Sequence, residues 1–186
     1  MENKWVNLKS LLEKIISESR RPDYITHAQN SLDWLLKLEP NATQEMKLAI
    51  FAHDMDRCWF EKMTQVENEE FIDYKIRHSH RGADIVSAMM MTLEFPIESI
   101  KRVYYLICNH EIGGDREANL VRDADSLSYL ENNLPGYYER QGKEATQTKI
   151  RFMYDRASGR AKEMVRAINF APELRELMNE TLDLEL

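Results

Sequence analysis

Glycine and proline are scarce. The 186 residues include 6 Gly and 5 Pro, about half of ordinary usage, too few for the tight turns of a many-stranded sheet. Valine is short as well, with 6 residues against 42 Leu, Met and Ala together. Unbranched side chains lose little rotamer freedom in a helix, whereas Val suits a pleated surface, so the balance points to helix. Two cysteines, Cys58 and Cys108, exclude a disulfide framework and indicate a reducing compartment. Basic residues are outnumbered, 25 Lys and Arg against 32 Asp and Glu, for a net charge of −7. Such a chain has no general field for nucleic acid or an anionic membrane, and neither is expected as a partner. Positive charge for a phosphate compound must be local, from a metal or a few Arg. No apolar run approaches the roughly 18 residues of a membrane span, and Met1-Glu2-Asn3-Lys4-Trp5 carries no apolar stretch of signal-peptide type. The expectation is a cytoplasmic, all-α protein.

What is present is helical periodicity. Trp5, Leu8, Leu11, Leu12, Ile15 and Ile16 predict a first helix ending before Pro22. Tyr24, His27, Ala28, Leu32, Leu35, Leu36 and Leu38 predict a second, stopped by Pro40. Thr43 is placed to cap a third that carries Met46, Ala49, Ile50 and His53. Residues 56–68 read as loop or short helix. A long helix is expected over about 69–93, then one carrying Ile100, Val103, Ile107 and His110, broken by Gly113-Gly114. The next covers 118–132 and ends at Leu134-Pro135-Gly136. An amphipathic stripe runs from Ile150 to Ile168, and Pro172 opens a last helix with Leu174, Leu177, Met178 and Leu182. No repeat or linker divides the chain, so residues 1–186 are expected to form one irregular bundle of seven or eight helices.

All five histidines lie between positions 27 and 110, and four interrupt apolar stripes. His27 is in register with Tyr24, Ala28 and Leu35. His53 follows Met46, Ala49 and Ile50, and His110 continues Ile100, Val103 and Ile107. The walk from His78 meets Gly82, Ile85, Val86 and Met89, an inward face. The walk from His80 meets Asp84, Ser87, Ala88 and Met91, a mixed one. Residues two apart point in nearly opposite directions on a helix, so His78 is the inward member. One inward His is ordinarily a hydrogen-bonded core residue. Four of them, buried without partners, are expensive, and a shared metal satisfies them economically. Asp54, and Asp123 or Asp125, supply carboxylates; periodicity leaves the last two both open.

The order His27, His53-Asp54, His78, His110, Asp125 resembles the HD superfamily of metal-dependent phosphohydrolases. Leu48-Ala-Ile-Phe-Ala-His-Asp is similar to that family's apolar helix ending in its namesake doublet. His78-Ser-His-Arg-Gly82, Asn109-His110-Glu111 and Ala124-Asp125-Ser126-Leu127 are similar to its later motifs. The resemblance covers about residues 20–130, with the helices of 143–186 packing on that core. It implies an all-helical HD-like fold and a first divalent ion on His27, His53, Asp54 and Asp125. It implies a second ion on His78 and His110, bridged by Asp54, although single-metal members use the first four ligands alone. The family's Lys three residues after the doublet is replaced by Arg57, and the Gly-Tyr-Pro extension of the cyclic-dinucleotide branch does not follow Glu111.

Nitrogen and carboxylate ligands suit Mn, Fe, Co, Ni or Zn better than Mg, and such an ion activates water for attack on phosphorus. Asp54, Arg57, Arg81 and Glu111 are the candidate catalytic residues. Arg21, His80, Arg122, Lys149 and Arg156 are the candidates for contacting a small phosphorylated substrate or nucleotide. The pair Tyr137-Tyr138 and the 149–156 segment read more simply as a packed helix pair than as a pocket wall. Cys58 and Cys108 read as small core residues, and the apolar last helix is available for a homodimer. Two alternatives to a hydrolase stand beside it: a non-catalytic metal- or nucleotide-binding regulatory domain, and a di-iron oxygenase-like enzyme.

Overall fold

Local signals set most helix ends. In a computed structural model, which describes residues 2–19, 23–59 and 70–184, the first helices are α1 (Glu2–Ser17), α2 (Asp23–Leu38) and α3 (Gln44–Ala52). Thr43 caps α3, its hydroxyl accepting from the Met46 amide at 3.2 Å. After the short α4 (Asp56–Trp59) come the long α5 (Phe71–Thr92), then α6 (Ile97–Cys108) and α7 (Arg116–Ser128). The Asp115 side chain caps α7 through the Ala118 amide. The second half continues with α8 (Leu134–Arg156), α9 (Gly159–Met164) and α10 (Pro172–Leu182). The described residues form an all-α bundle without strands, and none of their helices is long and apolar enough to cross a membrane.

Helix α3 is the centre of the bundle. Met46 and all of Leu48, Ala49, Ile50, Phe51 and Ala52 are buried, a helix apolar on every side, as only an enclosed position permits. Helices α2, α6 and α7 pack around it, α1 covers α2 and α3, and α5 lies along α6. Gly82 lets α5 approach the end of α3. A methyl group at that position would stand 3.0 Å from the His53 carbonyl oxygen, so the glycine sets how closely these two elements meet.

Two predicted boundaries fail in the C-terminal half. Leu134-Pro135-Gly136 does not end a helix; a π turn at Tyr129–Asn133 carries the chain from α7 directly into α8. Pro135 sits in the first turn of α8, where its missing N–H has no intrahelical partner to lose. The stripe predicted over 150–168 is cut at Ala157, which is extended, and Ser158, which caps α9. Apolar spacing persists across that break because both pieces face the same core, which is why periodicity alone joins them. Leu174, Leu177 and Met178 of α10 are buried, and α10 packs on α8, so the apolar stripe read as available to a second copy is covered within the chain.

Candidate metal centre

Five elements each deliver a ligand-type side chain to one point. His27 comes from α2, His53 from the turn closing α3, His78 from α5, His110 from the turn closing α6 and Asp125 from α7. All five are at most 5% exposed, and only Asp54 retains moderate access. Backbone and hydroxyl partners fix three imidazoles. His53 Nδ1 lies 2.6 Å from the Ile50 carbonyl and His110 Nδ1 lies 2.7 Å from the Ile107 carbonyl. A carbonyl only accepts, so both Nδ1 atoms carry hydrogen and both Nε2 atoms present lone pairs. Ser128 donates its hydroxyl to the His27 carbonyl and accepts from His27 Nδ1 at 2.9 Å, leaving His27 Nε2 bare as well. Anchoring one ring nitrogen so that the other is free to ligate is the usual arrangement around metals.

The free atoms then crowd together. His27 Nε2 and His53 Nε2 are 3.2 Å apart, and Asp125 Oδ1 lies 3.1 and 3.4 Å from them. Asp54 Oδ1 is 2.9 Å from His78 Nε2 and 3.9 Å from His53 Nε2. Lone pairs this close repel unless a cation is shared among them, either a proton or a metal ion. Burial opposes charge on His53, but Asp54 and Asp125 outweigh it and raise the imidazole to about 9. Burial lowers His110 instead, and its Nε2 is buried with no hydrogen-bond partner. The donors fall into three overlapping sets with ligand atoms within 4.8 Å of one another: His27, His53, Asp125; His53, Asp54, His110; and His78, His110, Glu111. Buried imidazoles and carboxylates of this kind can hold a metal ion.

Cations surround the acids. Arg156 donates to Asp125 Oδ2 at 2.5 Å, to Glu111 Oε2 at 2.6 Å and to Ser126 Oγ at 2.8 Å. Lys75 reaches Glu111 Oε1 at 2.5 Å. Both Glu111 oxygens are therefore engaged, while Asp125 keeps Oδ1 for the histidines. Burial alone would raise the carboxyls of Asp54, Asp125 and Glu111. Arg57 at Asp54, Arg156 at Asp125, and Lys75 with Arg156 at Glu111 hold them well below the usual range. Arg57 Nε lies 3.1 Å from Asp54 Oδ1, and Asp56 Oδ1 lies 2.7 Å from His78 Nδ1.

The six residues His27, His53, Asp54, His78, His110 and Asp125 thus meet, and the remaining candidates divide. His80 is exposed, beside the Tyr104 hydroxyl at 3.3 Å and Cys108, so His78 is the inward member of the pair. Asp123 is buried away from the histidines, bound by Arg122 and by the Ser158 amide at 3.0 Å. Arg122 is committed there and does not line the cleft above the centre; neither does Arg81, half-buried on α5. Arg156 turns its guanidinium to two acids. Arg21 lies outside the described residues.

The cleft itself is about 1230 Å³, with His27, Asp54 and Asp125 at its floor. Tyr137, Arg140, Thr148, Lys149 and Phe152 of α8 form one wall, so this segment is a pocket wall after all. Tyr24, Tyr74, Lys75 and Phe71 line other sides. Sequence reading missed Lys75 and Ser128, whose local patterns are those of a surface lysine and a helix-end serine. The only available signal was that each falls on an apolar stripe, Lys75 with Phe71 and Ser128 with Val121 and Ala124.

No curated protein and no solved structure matches the chain. A family model described as a domain of unknown function (DUF4202) matches residues 8–178, and the chain belongs to that family.

Proposed function

We propose that this chain is a cytoplasmic, metal-dependent phosphohydrolase with a centre of HD type, cleaving a small phosphate ester or nucleotide. The observation that carries the reading is that the Nε2 atoms of His27, His53 and His110, each opposite an anchored Nδ1, converge with Asp125 Oδ1 and Asp54 Oδ1 on one buried point. His27, His53, Asp54 and Asp125 would hold one divalent ion; His78 and His110, with Asp54 between them, would hold a second. Such an ion supplies water activation and polarisation of a phosphoryl oxygen. Asp54 is positioned by Arg57, whose partly exposed guanidinium also borders the cleft. Asp125 is oriented by Arg156, and Glu111, saturated by Lys75 and Arg156, fixes the local field at His110 rather than serving as a ligand. The thiols offer no competing nucleophile: burial pushes Cys58 and Cys108 up to about 11.

Metal analysis of the purified protein, combined with phosphate release from an aryl phosphate and from nucleotide monophosphates with and without Mn²⁺, tests the reading. Bound first-row metal with metal-stimulated release is the expected result. Metal without turnover on any ester would instead support the regulatory-domain reading, and absence of metal would end both.

A further inference from the structure

Three cations near the centre are committed to acids, and Arg140, which also lines the cleft, is exposed to solvent. Arg57 faces Asp54, Lys75 is paired with Glu111, and Arg156 spans Asp125 and Glu111. Lys149 differs. It lines the cleft from α8, half-buried, and no described carboxylate forms an ion pair with it. Its ammonium lies instead among ring faces, 4.6 Å from the Tyr129 centroid, 5.0 Å from Phe152 and 6.0 Å from Phe71. Ring faces attract a cation only weakly compared with an anion at contact distance, so this amine is under-compensated where it stands. A half-buried lysine without a counter-ion is a cost to folding, and an amine standing over a floor of imidazoles and of acids already paired with arginine has one evident complement, an anion entering the cleft.

We infer that Lys149 is the specificity-determining residue that receives the anionic phosphate of the substrate on the α8 wall of the cleft. This rests on the phosphohydrolase reading for the identity of the anion. Lys149 then acts by binding, and the wall of α8 sets which charge a substrate must present. The state of the amine agrees with this. Burial, reinforced by Lys75 and Arg156, pulls it down to about 7, so an arriving dianion would draw it into the charged form.

The test uses inorganic phosphate as the probe, titrated into metal-loaded wild-type protein, Lys149→Met and Lys149→Arg, with metal content and melting temperature recorded for each. In Lys149→Met, metal is expected to stay bound while phosphate affinity falls about tenfold or more, as loss of a charge-assisted hydrogen bond implies. Lys149→Arg is expected to recover part of that loss. Without phosphate, Lys149→Met should melt higher than wild type, since it removes an unpaired enclosed charge; a lysine with a merely structural role would give the opposite sign. Equal phosphate affinity in wild type and Lys149→Met, or a lower melting temperature in the variant, overturns the inference. If Lys149→Met hydrolyses esters with unchanged KM, the role of Lys149 fails and the hydrolase reading survives. If metal is absent yet phosphate still distinguishes Lys149→Met from wild type, the hydrolase reading fails and the anion site survives.

Discussion

At the scale of single residues the protein is organised by what cannot be left uncompensated. His53 and Asp54 are adjacent in sequence and meet in the candidate metal centre, so on the proposed reading His53→Ala and Asp54→Ala should each abolish or sharply reduce bound metal, with helix content by circular dichroism little changed. The pair two residues apart on α5 gives a sharper contrast: His78→Ala should lose metal and His80→Ala should keep it. Arg156 has the heaviest structural duty, since its side chain is 9% exposed and two buried acids depend on it. Arg156→Met removes the arginine from Asp125 and leaves Glu111 with Lys75 alone, and a loss of roughly 3–5 kcal/mol in chemical denaturation is expected. Lys149 predicts a pH dependence. Its amine titrates near 7 in the folded chain and near 10.4 when unfolded, so between these values the unfolded state binds more protons and stability from this residue rises with pH. The groups around it are Lys75, Arg156, Glu111 and Asp125, which remain in Lys149→Met and cancel in the comparison. The melting-temperature gain of Lys149→Met should therefore be fully present at and below about pH 7 and shrink towards pH 10.

At the scale of elements the site depends on how α3 and α5 meet. Gly82→Ala sets a methyl 3.0 Å from the His53 carbonyl, and overpacking of this kind costs about 1–3 kcal/mol. The displaced turn carries His53 and Asp54, so metal affinity should fall with stability, read by denaturation and metal titration together. Thr43→Ala is the control. It removes the α3 cap at the far end of the same helix, costs about 1 kcal/mol, and should leave metal affinity unchanged. The sequence identified the Thr43 cap and the end of α3 at the His53-Asp54 doublet because such signals act within a few residues; it set the end of α6 at Gly113-Gly114, whereas the helix stops at Cys108 and His110 lies in the turn beyond it. It misjudged the α7–α8 junction, since a π turn followed by Pro at a helix start has the same local composition as a helix end.

At the scale of the whole molecule, metal binding should be felt as stability. The candidate ligands on α2, α3, α5, α6 and α7 and their closing turns are brought together only in the folded chain, so an ion held there would bind the native state in preference to the unfolded one. Saturation at about 100 times Kd corresponds to roughly 2.7 kcal/mol, seen as a higher melting temperature that a chelator reverses. The helical class, the inward setting of His27, His53, His78 and His110, and the choice of His78 over His80 were determined by the sequence alone, because composition and a 3.6-residue period act along one helix. Periodicity left Asp123 and Asp125 both open and the family resemblance pointed to Asp125; the tertiary structure supplies the physical reason, since both are buried on α7 and the packing sets Asp125 beside imidazoles and Asp123 beside Arg122 and Ser158. The commitments of Arg156, Lys75 and Arg122, and the solitary position of Lys149, were likewise invisible along the chain. A cation's role is fixed by the acid it meets; for Lys75 and Arg156 those acids lie 31 to 45 residues away, and Arg122 meets its sequence neighbour Asp123 only because the fold turns both away from the imidazoles.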